Sequence, residues 1–83
     1  MKKVIIIGAG GVGQVVAHKC AQLPEVFSEI VLASRTKSKC DSIAEQIKLS
    51  YGRDILTDQV DADSVAELKC LFEKYDPFMV INV

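Results

Sequence analysis

The chain has 83 residues, of which 49% are hydrophobic and 25% are charged, the composition of one ordinary globular domain. Its formal net charge of −1 argues against a nucleic-acid or anionic-membrane partner held by bulk electrostatics. The apolar run after Lys2 and Lys3 is too short for a signal peptide and no stretch reaches the ~20 apolar residues of a membrane span, so we expect a cytoplasmic protein without a membrane partner.

A glycine-rich motif follows the first predicted strand. The run Val4–Ile7 is typical of a buried parallel strand, and Gly8, Gly10 and Gly13 then form G-x-G-x-x-G. In a dinucleotide site these glycines permit a tight turn, the approach of a pyrophosphate and close packing of the helix on the strand. The helix N-terminus adds N–H donors and partial positive charge. A turn without a ligand is the alternative. The cofactor-binding residues predicted here are Gly8, Gly10, Gly11, Val12 and Gly13.

Two helices are predicted in the first half of the chain. The first runs from about Val12 to Leu23, where Pro24 ends it. The second runs from about Lys39 to Ser50, with Ser38 as candidate N-cap and Gly52 as C-terminal cap. Apolar residues at helical spacing predict their buried faces. For the first helix these are Val12, Val15, Val16, Cys20 and Leu23, and for the second Cys40, Ile43, Ala44 and Ile47.

A third predicted helix opens with the capping box Ser64-x-x-Glu67 and ends at Asp76-Pro77. Its predicted apolar stripe comprises Val65, Leu68, Leu71, Phe72 and Tyr75. Strands alternate with the three helices, at about Val4–Ile7, Glu29–Ala33, Ile55–Val60 and Phe78–Val83. This alternation predicts an α/β fold with a parallel sheet, and right-handed crossovers give the strand order 3-2-1-4. Residues 1–83 are therefore predicted to form the first half of a doubly wound, Rossmann-type sheet.

The residues after the second strand indicate which nucleotide binds. An NAD-binding unit usually carries Asp or Glu here for the ribose 2′-OH, whereas this chain has Ser34-Arg35-Thr36. Arg35 can pair with a 2′-phosphate, the hydroxyls of Ser34 and Thr36 can donate to it, and Lys39 adds positive charge nearby. We therefore predict NADP(H) as the cofactor. The alternative is that these residues are the solvated start of a helix.

Two further stretches are predicted to meet this edge of the sheet, where open α/β sheets bind ligands. Asp61 and Ala62 follow the third strand and are predicted to border the adenine ring. Asn82 ends the fourth strand and is predicted to face the ribose or nicotinamide, although it can instead be a turn residue that satisfies nearby backbone.

No residue of the chain is predicted to be catalytic or to bind a metal. Cys20, Cys40 and Cys70 lie far apart and lack metal-ligand spacing, so we expect buried, reduced side chains. His18, the one histidine, is expected on an exposed helix surface.

The chain as a whole resembles the N-terminal NADP-binding domain of the saccharopine dehydrogenase family, and within that family the carboxynorspermidine dehydrogenase branch. The segments that carry the resemblance are Lys3–Gly13, Val15–Ala21, Phe27–Thr36, Gln59–Asp63 and Val80–Val83. It implies NADPH-dependent reduction of an imine formed from aspartate semialdehyde and a diamine, in polyamine synthesis, by a cytoplasmic homodimer.

Proteins of that family are several times longer than this chain. We therefore expect an inactive fragment, with the amine and aldehyde substrates bound only by the full-length protein. Two other interpretations stay open. One is a non-catalytic nucleotide-sensing module, like the domains that gate potassium transport, although those normally carry an acid after the second strand. The other is a different NADP reductase, such as shikimate dehydrogenase, whose second strand also ends in an Arg-Thr pair.

Overall fold

The computed structural model describes residues 2–83, which form seven alternating strands and helices. They are β1 (Lys3–Ile7), α1 (Gly11–Ala21), β2 (Glu29–Ser34), α2 (Lys37–Tyr51), β3 (Leu56–Gln59), α3 (Val65–Tyr75) and β4 (Met79–Asn82). All strand pairs are parallel and the strand order is β3-β2-β1-β4. The predicted fold class and strand order are confirmed. The outer strands β3 and β4 are shorter than predicted.

The two central strands form the middle of the core. Residues Val4–Ile7 of β1 and Ile30–Ala33 of β2 are at most 3% exposed, as expected for strands covered on both faces. On one face Val4 and Ile6 pack with buried residues of α1 and α2. On the other face Ile5 and Ile7 pack with Leu71 of α3. The sheet is therefore a middle layer between α1 and α2 on one side and α3 on the other.

Helix α1 packs on the sheet through small residues. Its buried residues are Gly13, Ala17, Cys20 and Ala21, and a Cβ at Gly13 would lie 2.0 Å from the carbonyl oxygen of Gly8. This close approach of two backbones turns the larger side chains away from the sheet. The predicted stripe is therefore wrong for three residues, which are exposed: Val12, Val15 and Leu23.

Helix α2 begins two residues before its predicted start. Thr36 occupies the N-cap position and makes no side-chain capping bond within the described residues, so the prediction of Ser38 as N-cap is wrong. At the other end Gly52 has φ 68°, the left-handed conformation of a C-terminal cap, as predicted. The buried residues Cys40, Ile43 and Ile47 confirm most of the predicted face.

Helix α3 uses half of the predicted capping box. The Ser64 hydroxyl accepts a hydrogen bond from the Glu67 backbone N–H at 3.2 Å. The Glu67 carboxylate accepts from the backbone N–H of Asp61, at 3.2 Å, so it ties the preceding loop to the helix. Leu71 is buried as predicted, but Val65 is 80% exposed and does not belong to the packed face.

The cysteines and the histidine depart in part from expectation. Cys20 and Cys40 are buried, and burial raises the pKa of both thiols, whereas Cys70 lies on the exposed side of α3, against prediction. His18 is half-buried, with Nδ1 3.2 Å from the Tyr51 hydroxyl, so it is less exposed than predicted. Among residues 2–83, none of the helices combines the length and apolar character needed to cross a membrane.

Candidate dinucleotide-binding site

Gly8 carries the chain out of β1 between the ends of its two neighbouring strands. Its backbone N–H donates to the Ala33 carbonyl of β2 at 2.9 Å. A Cβ at Gly8 would lie 2.9 Å from Cγ2 of Val83, directly after β4, and its φ is +121°. Glycine adopts this backbone conformation without steric strain. The turn that it makes places the start of α1 directly above the edge of the sheet.

The start of α1 is open to a ligand. Gly10 is the N-cap and has no side chain that could cap the first N–H groups, and the first turn has no acidic residue. A Cβ built at Gly10 or Gly11 would meet no described atom within 4 Å. Since the first N–H groups of a helix lack partners within the helix, donors and free space coincide here, which suits an anion.

A small cleft of about 160 Å³ lies where the carboxyl ends of β1, β2 and β4 meet. Asn82 of β4 stands beside Ile7 of β1 in the parallel ladder. The cleft brings together five of the predicted site residues, Gly8, Ser34, Arg35, Ala62 and Asn82. The other predicted residues do not line it: Gly10, Gly11, Val12, Thr36 and Lys39 are exposed beyond it, Gly13 is buried and Asp61 is half-buried.

Arg35 is held by two carboxylates that follow β3. Its Nη2 donates to Oδ1 of Asp61 and to Oδ2 of Asp63, both at 3.1 Å, while 70% of its side chain stays exposed. The sequence predicts Asp61 beside the adenine but gives Asp63 no role in the site. The signal that could have found Asp63 is an Asp-x-Asp pair after the strand next to the one that ends at Arg35.

The two carboxylates differ in how firmly they are held. Oδ1 of Asp61 accepts from the backbone N–H of Asp63 at 3.0 Å. That bond, followed by the Arg35 guanidinium, lowers the pKa of the Asp61 carboxyl below its ordinary value. The Asp63 side chain is 88% exposed and extends from the turn to Arg35. Asp61 is therefore tied to the backbone of the loop, whereas the exposed carboxylate of Asp63 contacts only Arg35 among the described residues.

Ser34 organises the turn that presents Arg35. Its hydroxyl donates to the Thr36 carbonyl at 3.0 Å and accepts from the Thr36 backbone N–H at 3.2 Å. The Cys40 thiol lies 3.2 Å from the same oxygen. The Ser34 hydroxyl hydrogen is thus used inside the turn and is not directed outwards, which departs from its predicted role as a donor to a phosphate.

No group of three or more His, Cys, Asp or Glu side chains is arranged to hold a metal ion in the part of the chain that the structure describes. The groups at this edge are backbone N–H donors, the Arg35 guanidinium with its two carboxylate partners, and neighbouring polar side chains.

The sequence profile of the saccharopine dehydrogenase NADP-binding domain matches residues 4–83. The chain belongs to this family. The match confirms the resemblance seen in the sequence and the prediction of NADP(H) as the cofactor.

Two curated relatives extend the comparison beyond the family profile. A carboxyaminopropylagmatine dehydrogenase from Synechocystis sp. is 48% identical over 83 residues, which are 100% of this chain and 20% of the relative. A carboxynorspermidine synthase from Vibrio cholerae is 44% identical over 87 aligned positions, covering 95% of this chain and 20% of the relative. The chain thus spans about a fifth of the length of these relatives.

Solved structures agree on the fold. A short-chain dehydrogenase from Sphingobium yanoikuyae in complex with NADPH superposes with a TM-score of 0.73 at 24% identity, over 89% of this chain and 28% of the other. A bulky-bulky ketone specific alcohol dehydrogenase from Comamonas testosteroni gives a TM-score of 0.73 at 20% identity, over 89% of this chain and 29% of the other. At such identities these similarities show a shared fold alone.

Proposed function

We propose that the cofactor lies across the carboxyl edge of the sheet, with its pyrophosphate over Gly10 and Gly11 and its 2′-phosphate at Arg35. The observation that carries the proposal is the exposed guanidinium of Arg35 directly after β2, where NAD-binding units usually have a carboxylate. The open space above Gly10 and Gly11 supports the position of the pyrophosphate at the start of α1.

The remaining residues receive roles from their positions around these two anchors. Gly8 and Gly13 shape the loop, and Val12 continues it at the start of the helix. Ser34 holds the turn that presents Arg35, while Thr36 and Lys39 flank the phosphate. Asp61 and Ala62 border the adenine side, and Asn82 faces the ribose or nicotinamide from β4.

For the full-length protein that carries this chain, we propose NADPH-dependent reduction of an imine formed from aspartate semialdehyde and a diamine. NADPH, when bound, supplies a hydride to the imine carbon; with a proton on nitrogen the product is a secondary amine. This chain binds and orients the nicotinamide cofactor and contributes no acid or base of its own. The name of one relative, a dehydrogenase, supports redox chemistry, and that of the other, a carboxynorspermidine synthase, supports a polyamine product. A cytoplasmic homodimer is part of the same proposal.

The competing function is a nucleotide sensor without catalysis. Family membership and the names of the relatives favour the enzyme. Oxidation of NADPH by the full-length protein, supplied with aspartate semialdehyde and a diamine, separates the two. We expect turnover that requires both substrates, and cofactor binding without turnover for any diamine would favour the sensor.

The cofactor site itself is tested by Arg35→Ala in the full-length protein, with NADPH and NADH titrated separately. A hydrogen bond to a charged group contributes about 1.5–3 kcal/mol, so NADPH affinity should fall roughly tenfold to a hundredfold while NADH affinity changes little. Lys48→Ala is the matched control, because Lys48 is an exposed cation that pairs with Asp54 before β3, away from the carboxyl edge. Equal losses for both cofactors would remove Arg35 from the 2′-phosphate site.

A further inference from the structure

We propose that Asp63 is a specificity-determining residue, because its carboxylate competes with the 2′-phosphate of NADP(H) for Arg35. The inference rests on the proposed function, in which Arg35 binds that phosphate. Asp63 lies outside both the glycine loop and the turn after β2. Asp63 weakens the binding of NADPH relative to NADH.

The donor geometry of Arg35 makes the competition direct. A guanidinium offers five N–H groups in a planar arrangement, and it grips an anion best through two parallel hydrogen bonds. One such pair combines Nε with Nη2 and the other combines Nη1 with Nη2. Both carboxylate contacts are made by Nη2, to Asp61 and Asp63 at 3.1 Å each. Both two-bond arrangements therefore need Nη2, which already donates to the two carboxylates.

The balance of charge points the same way. Arg35 with Asp61 and Asp63 carries a net charge of −1, or zero when Lys39 is counted with them, although this cluster must receive a phosphate with a charge of about −1.5 to −2. Like charges close together disfavour binding. Release of one carboxylate from Arg35 frees a two-bond grip and lowers the repulsion.

Asp63 is the carboxylate that can leave. Asp61 is fixed by the backbone N–H of Asp63 at 3.0 Å, and its own N–H is held by Glu67 at 3.2 Å. The Asp63 carboxylate is 88% exposed, so it can turn into water when the phosphate arrives, without disturbing the loop. Asp61 then continues to position the guanidinium while Asp63 sets how much binding energy the phosphate must supply to displace it.

The test is Asp63→Ala and Asp63→Asn in the full-length protein, with dissociation constants for NADPH and NADH at low and high salt. An exposed ion pair contributes about 0.2–1 kcal/mol, so NADPH should bind about 1.5- to fivefold more tightly to both variants. NADH affinity should stay unchanged, and the gain should shrink at high salt. Asp54→Asn is the matched control, because it removes a similarly exposed, ion-paired carboxylate before β3 and should change neither constant.

The same measurements in an Arg35→Ala background separate competition from simple repulsion. If Asp63 acts through Arg35, its removal gains less in that background, and a gain of equal size in both backgrounds overturns the inference. Unchanged or weaker NADPH binding by Asp63→Ala, with Arg35→Ala still selective against NADPH, also overturns it and leaves the proposed function standing. An unselective loss in Arg35→Ala removes both.

Discussion

Two glycines of α1, two residues apart, should respond in opposite ways to the same added methyl group. Gly13→Ala places a Cβ 2.0 Å from the carbonyl oxygen of Gly8, whereas the Cβ of Gly11→Ala meets no atom of residues 2–83 within 4 Å. The obstacle at Gly13 is backbone, which cannot rotate away as a flexible side chain can. The start of α1 must therefore move away from the turn.

The size of the effect follows from that distance. Contacts closer than 3.0 Å essentially never occur for a real Cβ, so the helix must shift by about 1 Å. Overpacking typically costs about 1–3 kcal/mol, and a rigid backbone obstacle belongs at the upper end. The better helix propensity of alanine returns up to about 1 kcal/mol. We expect Gly13→Ala to lose about 2–3 kcal/mol.

Chemical unfolding of the cofactor-free, full-length protein, followed by far-ultraviolet circular dichroism, measures the difference. Gly11→Ala should unfold at the wild-type denaturant concentration or slightly above it, and Gly13→Ala clearly below it. If the two variants proved equally stable, the close approach of α1 to the Gly8 turn would not be a feature of the folded protein.

Four further predictions test other parts of the structure. Gly10→Val should leave the fold intact but abolish cofactor binding, since its side chain enters the space above the helix N-terminus; calorimetric titration showing unchanged affinity in a folded variant would contradict this. Asp58→Asn should cost about 1–2 kcal/mol at pH 7, because Asp58 accepts from Tyr75 at 2.8 Å and Lys74 at 3.0 Å. Partial burial raises the pKa of the Asp58 carboxyl, but the hydrogen bonds from Lys74 and Tyr75 outweigh burial and leave that pKa below its ordinary value. The stabilisation that these bonds supply is therefore present above about pH 4 and is lost as the pH falls through the lowered pKa. The difference in stability between wild type and variant should therefore narrow as the pH is lowered from 7 to below about 4, and a difference that stays constant over this range would be the contrary result. The purified 83-residue chain should associate through the open edge of β4, where Met79 and Val80, like Phe78 directly before the strand, are at least 40% exposed and neither charge nor proline interrupts the strand; light scattering of a stable monomer would refute this. The same purified chain should not reduce the imine, and any turnover measured with it would contradict the assignment of no catalytic residue.

The fold was predictable from the sequence because its signals are local. The unbroken apolar runs of β1 and β2 identify central strands, and the glycine spacing identifies the turn between β1 and α1. The buried face of α1 was not predictable by counting apolar residues. Val12 and Val15 are more hydrophobic than Gly13 and Ala17, yet the smaller residues face the sheet, since close packing of two backbones outweighs the burial of larger side chains.

The predicted site was found in part for a similar reason. Arg35 stands out as a local exception to the acid expected after the second strand. Its partners Asp61 and Asp63 lie 26 and 28 residues further along the chain, and only the pairing of β2 with β3 brings them to it. The predicted topology places both loops at one edge of the sheet, but no local pattern in the sequence shows that two carboxylates already bind the guanidinium.

The central claim, that Arg35 binds the 2′-phosphate, is tested most directly by ³¹P NMR of NADPH bound to the full-length protein. A free phosphate monoester takes up its second proton at about pH 6, and a guanidinium beside it favours the dianion. The 2′-phosphate resonance of the complex should therefore change from dianion to monoanion at a lower pH in the wild type than in Arg35→Ala at saturating NADPH, where the carboxylates of Asp61 and Asp63 remain without the guanidinium. A resonance that titrates at the same pH in free NADPH, wild-type complex and variant complex would contradict the account.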